Sequence, residues 1–236
     1  MRRRAALVVI AAAVGAAAAG TARAADECRG LQVCLPVAGP WVVVPASGSV
    51  DYELACPLPG YIAAGVDVRL SEPEIDVSFR GETGSPVAAG VTTRRAVLFT
   101  ARSTAPTPRR SSFRPFVGCV PTSGGGGRSQ TAYAATPSGG LRPSRPLERV
   151  VVTRRVGEGT AVMRARCARG ARLLGGSHAV AFRTASPPAA SVLGAVRVAR
   201  SVAGGAIVAR VFVAPGALGG APAEVQLHAL CRKAGP

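Results

Sequence analysis

The sequence predicts an all-β protein: two antiparallel β-sandwich or barrel-like domains, related by internal duplication, behind a cleaved signal peptide. Three observations lead there. Apolar residues alternate with period two in short runs, as half-buried strands require. Glycine and proline are frequent, 29 and 19 of 236 residues, so those runs are punctuated by turns. Six cysteines, all downstream of an N-terminal leader, recur at matching spacings.

The leader comes first. Met1-Arg2-Arg3-Arg4 is a basic n-region, Ala5 to Gly20 an apolar core, and Ala22-Arg23-Ala24 an A-x-A cleavage site. Residues 1–24 are therefore assigned as signal peptide, with cleavage after Ala24 preferred to retention as an anchor. The apolar core is short for a spanning helix. No later apolar run reaches spanning length, so no stable membrane span is expected after cleavage. The expected location is secreted or cell-envelope, extracytoplasmic, where thiols oxidise.

The first domain is placed at residues 25–120. Val66-Asp67-Val68-Arg69-Leu70 and Ile75-Asp76-Val77-Ser78-Phe79 alternate as strands with one buried face. Residues 121–146, with four consecutive glycines followed by Ser, Thr and Pro, hold too little apolar surface to pack and read as a flexible linker. The second domain is placed at residues 147–236. Leu147–Val156 and Gly159–Cys167 flank Gly157-Glu158, a hairpin-like break, and Val225-Gln226-Leu227-His228-Ala229 alternates again, with His228 on the solvent phase. No convincing helix follows the leader; the Ala-rich stretches near residues 188–206 leave room for one short helix and no more.

The repeat is carried by the cysteines. Cys56 and Cys119 lie 63 apart, Cys167 and Cys231 64 apart. A shift of 111 brings Cys56 onto Cys167, Gly48 onto Gly159 and Gly65 onto Gly176; a shift of 112 brings Cys119 onto Cys231 and Phe99 onto Val211. Six cysteines allow fifteen pairings. The repeat selects Cys28–Cys34, Cys56–Cys119 and Cys167–Cys231. Each long bridge would contribute roughly 4 kcal/mol in the chain-entropy account. Aromatic residues make up only 4% of the chain, so a core built on Val, Leu and Ala needs that help.

No motif for catalysis, metal or cofactor emerges, and none of the three is expected. There is no Gly-x-Ser-x-Gly elbow. Ser177 and His178 are neighbours, which on a strand point to opposite faces. Cys28 and Cys34 are too isolated for a zinc site. Asp67, Glu72, Glu74 and Asp76 form the one local acid cluster and read as a solvated face rather than a calcium or glycosidase site.

Charge is the remaining signal. Residues 25–120 carry nine arginines and nine acids; residues 121–236 carry fifteen arginines and Lys233 against Glu148, Glu158 and Glu224. The second half therefore expects an acidic partner. Arg154, Arg155, Arg164, Arg166, Arg169 and Arg172 are the polyanion-binding candidates, with Arg164 and Arg166 on one strand face and Arg154 across the hairpin from them. Nucleic acid is not expected as the natural partner, because aromatics are not interleaved and the leader implies export. The resulting expectation is a non-enzymatic binding or structural protein of the bacterial cell envelope or extracellular space, engaging acidic polymers through its basic half. The alternative is a secreted hydrolase with an unrecognised active site.

Overall fold

The computed structural model describes residues 27–29, 33–81, 95–107, 109–121 and 147–232. The leader and nearly all of the linker lie outside the described residues. The protein is all-β, with curled antiparallel sheets and, among the described residues, a single helical turn.

Six strand positions occur in the first half: β1 (Leu35–Ala38) with β2 (Trp41–Val44), β3 (Ser49–Ala55), β4 (Tyr61–Leu70), β5 (Ile75–Gly81), β6 (Ala96–Ser103) and β7 (Ser111–Pro121). Strands β1 and β2 lie end to end along one edge of β7, interrupted at Gly39-Pro40, and β4 lies along the other. Strand β6 runs between β3 and β5. The second half has β8 (Leu147–Val156), β9 (Gly159–Arg166), β10 (Arg172–Phe182), α1 (Ala190–Leu193), β11 (Val196–Ala203), β12 (Ala206–Val213) and β13 (Ala223–Arg232). Here β13 runs between β8 and β10, and β12 between β9 and β11. The two halves thus share one pairing scheme. Both also carry an irregularity in the equivalent strand, after Ala63 and after Leu173, opposite the second cysteine of each long bridge.

All three disulfides have the expected partners: Cys28–Cys34, Cys56–Cys119 and Cys167–Cys231. Three intramolecular bridges are consistent with an extracytoplasmic location. Each long bridge ties the strand that opens its three-stranded sheet to the centre of the larger sheet. At the first of them the glycines are sterically required. A Cβ on either Gly65 or Gly118 would fall on the Glu27 carbonyl, which packs across the irregularity in β4.

One sheet runs through both halves. Trp41 and Val42 of β2 pair with Phe182 and Ala181 of β10, giving a seven-stranded sheet from β4 and β7 to β13 and β8. Alternate residues of the joining strands enter different cores. Val42, Val44, Ala179 and Ala181 pack with the first half, around Phe99, Phe113 and Val117; Val43, Val180 and Phe182 pack with the second, around Leu227, Val211 and Val213. The unbroken apolar run Trp41-Val42-Val43-Val44 is what a strand buried on both faces needs.

Three sequence expectations are corrected. His228 does not face solvent: it is 0% exposed, because strand β3 of the first half covers the face of β13 that carries residues 224, 226 and 228. Gly157-Glu158 does not close a hairpin. Strand β8 pairs with β13 and β9 with β12, so the chain turns a corner between sheets. The register aligns Gly65 with Gly175, not Gly176, and Phe99 with Ala209, not Val211, because the connections between equivalent strands differ in length and a fixed shift ignores that.

Candidate functional site

Three polar regions stand out, and they differ in how their charges are satisfied. The first is the buried seam between the halves. Tyr52 Oη donates to Glu224 Oε1 (2.7 Å), and Arg183 Nε donates to Glu224 Oε2 (2.6 Å). Gln226 bonds both backbone groups of Glu53: its Oε1 accepts from Glu53 N (2.6 Å), and its Nε2 donates to Glu53 O (3.0 Å) and to Thr153 Oγ1 (3.1 Å). The side-chain amide thereby caps the open edge of β3 as a neighbouring strand would. Gln226 Oε1 also accepts from His228 Nε2 (2.7 Å), while Arg149 Nη1 donates to His228 Nδ1 (3.1 Å) and to Asp51 Oδ2 (3.4 Å). With Nε2 donating and Nδ1 accepting, the ring is neutral. Burial, and next the Arg149 charge, lower its pKa to about 4. Burial, and next the Glu224 charge, push the Tyr52 hydroxyl far up, so it stays a donor. Every carboxylate here is matched, which is the pattern of a structural joint.

The second region is the outer face of the β9–β12–β11 sheet. Met163, Ala165, Ala209 and Val211 point into the core, so the alternate positions Val162, Arg164, Arg166, Arg210 and Phe212 point out and are exposed. Antiparallel register sets Arg210 beside Val162, and Val208 beside Arg164. No acidic residue lies on these three strands. Arg164, Arg166 and Arg210 therefore have no neutralising neighbour on their own sheet, and Phe212, 44% exposed, adds an apolar element beside them.

The six arginines singled out in the sequence are dispersed. Only Arg164 and Arg166 share this face. Arg154 is in β8 and donates to the Val162 carbonyl (3.2 Å). Arg155 is on the opposite phase of β8, paired in register with Glu224. Arg169 lies in the turn after Cys167, and Arg172 opens β10 opposite Arg232. Arg210 was missed, because its strand reads as a continuous apolar run in which one arginine carries little signal.

The acid cluster of the first half is neutralised by arginines. Arg109 pairs with Glu72 (2.7 Å) and Glu74 (3.5 Å), and Arg102 with Asp76 (3.0 Å); Asp67 Oδ1 accepts from the backbone of Val68. Among the described residues, no group of three or more His, Cys, Asp or Glu is placed to hold a metal ion.

The third region is a cleft of about 410 Å³ where the halves meet. Val43, Pro45, Ser49, Val50 and Arg110 line it from the first half, and Ser177, His178, Val180, Leu193, Arg197 and Arg200 from the second. Ser177 Oγ and His178 Nδ1 are buried without a hydrogen-bond partner and do not bond each other. Burial, and next the Arg200 charge, lower the His178 pKa to about 4.

Comparison with known proteins yields no match to any family model, curated protein or solved structure.

Proposed function

We propose that this is a secreted, non-enzymatic binding protein that engages anionic polymers of the cell envelope or extracellular space through the outer face of its β9–β12–β11 sheet. One observation carries the reading: Arg164, Arg166 and Arg210 project from a fully exposed sheet face whose strands hold no acid. Arginine grips sulfate, phosphate and carboxylate groups in two-point contacts, and a flat face with exposed apolar residues suits an extended chain better than a compact ligand. The shared pairing scheme of the halves supports an internal duplication. In that history the second copy gained the basic charge, while the first kept a balanced one.

The test is retention of the full chain on immobilised heparin. The variant Arg164→Ser/Arg166→Ser/Arg210→Ser is compared with Arg155→Ser/Arg169→Ser/Arg172→Ser, which loses the same charge from dispersed positions. The face variant is expected to elute at clearly lower salt than the dispersed one. Equal losses would reduce the effect to net charge, and absence of retention near 0.1 M salt, where the Debye length is about 10 Å, would remove the reading.

A further inference from the structure

We infer that the cleft between the halves is a second, separate binding site, for a small organic anion with a phosphate-type head and an apolar body. It goes beyond the polymer-binding face and does not depend on it.

The argument starts with charge. The described acids near the first-half arginines are committed elsewhere: Glu72 and Glu74 to Arg109, Asp76 to Arg102, Asp51 to Arg149, Glu224 to Arg183. Arg110 follows Arg109 directly, yet it turns away from those carboxylates to lie beside Gly194, across the cleft from its own half. Arg197 and Arg200 of β11 both border it, but Arg197 pairs in register with the outward-pointing Phe212, so only Arg200, opposite the buried Ala209, lies on the inward phase. Arg200 donates to the Gly176 carbonyl on the edge of β10, which fixes its direction. No carboxylate lines the cleft. The guanidinium groups of Arg110 and Arg200 beside one concavity, with no carboxylate among them, favour an anion between them.

Polar satisfaction points the same way. Two buried atoms of this wall, Ser177 Oγ and His178 Nδ1, have no hydrogen-bond partner; as neighbours on β10 they point to opposite faces, and His178 shares the phase of Val180 and lies near Arg200. β10 pairs with β2 only at Ala181 and Phe182, which leaves its edge beside His178 open among the described residues. The imidazole supplies an extra hydrogen bond that a phosphate or sulfonate head accepts.

The walls specify the rest of the ligand. Val43, Val50, Val180, Leu193 and Val196 are buried side chains that also face the cleft. A volume near 410 Å³, mostly aliphatic with a few convergent polar groups, is the make-up of a small-molecule site. Inorganic phosphate alone would leave those walls wet, whereas a short alkyl phosphate fills them and keeps its dianion at the arginines.

The probes are hexyl phosphate, inorganic phosphate and hexanol, each titrated into the intact protein by calorimetry and by NMR of the His178 ring. Hexyl phosphate is expected to bind saturably with a Kd below about 1 mM and to move the His178 resonances, with inorganic phosphate weaker and hexanol without effect. Arg110→Ser, which removes no hydrogen bond of the described fold, is expected to weaken hexyl phosphate about tenfold and leave heparin retention unchanged. Arg164→Ser/Arg166→Ser is expected to do the reverse, so either site can fail without the other. Absence of saturable hexyl phosphate binding, or unchanged affinity in Arg110→Ser, would overturn the inference. So would inorganic phosphate binding as tightly as its hexyl ester, since the walls would then contribute nothing.

Discussion

Glu224 shows how the seam works. Its carboxylate is buried, and Tyr52 and Arg183 each donate to one oxygen, which satisfies it there. Tyr52→Phe removes one of those donors without changing the packing, and it should cost roughly 1–3 kcal/mol in urea unfolding. A loss below about 0.5 kcal/mol would mean that water reaches Glu224. His228 gives a pH signature. In an unfolded chain histidine titrates near 6.5. In the fold burial, and next the Arg149 guanidinium facing Nδ1, lower the His228 pKa to about 4. Between those values the unfolded state binds the additional proton. Stability is therefore whole above pH 6.5 and is lost as pH falls toward 4, by roughly 3 kcal/mol from His228, with His178 adding in the same direction. Unfolding midpoints at several pH values, read beside the His228 NMR titration, check this. A ring that titrates near 6.5 would contradict it.

At the scale of elements, the long disulfides and the joining strands determine which pieces hold together. Replacing Cys167 and Cys231 with Ser should cost roughly 2–5 kcal/mol, since the bridge closes a loop that takes in four of the six strands of its half, β10 to β13. Gly118→Ala should destabilise the first half, because its Cβ has nowhere to go but into the Glu27 carbonyl. Calorimetry of each variant against the parent reads both effects. Many of the strands were legible from period-two alternation, and the cysteine spacings carried the correct bridges. What was not legible is which sheet each strand joins. Alternation gives a strand two faces but does not say what covers them, so His228 looked solvated until β3 was seen lying over it. Leu147–Val156 and Gly159–Cys167 were read as strands and then wrongly paired, because a two-residue break serves a hairpin and a corner between sheets equally well.

At the scale of the whole molecule, the halves meet through a β2–β10 pairing, a hydrogen-bonded seam and two cores that interleave on the joining strands. Residues 147–236 alone would uncover this face of β13, leaving Glu224 without Tyr52 and Gln226 without Glu53. The intact chain should therefore unfold in a single transition, and the isolated second half should not unfold cooperatively. Two resolved calorimetric transitions in the intact chain would contradict that coupling. The candidate site was half legible for the same reason. Arg164 and Arg166 share a face by spacing alone, but Arg210 joins them only through β9–β12 register, and Arg110 faces Arg200 only because the halves fold against each other. The most direct test of the central claim is an NMR titration of the intact protein with a heparin tetrasaccharide. The account predicts that the largest shifts fall on Thr160–Arg166 and Val208–Phe212, on β9 and β12, and shrink as salt is raised. Shifts centred on any other face, or spread evenly over every exposed arginine, would contradict it.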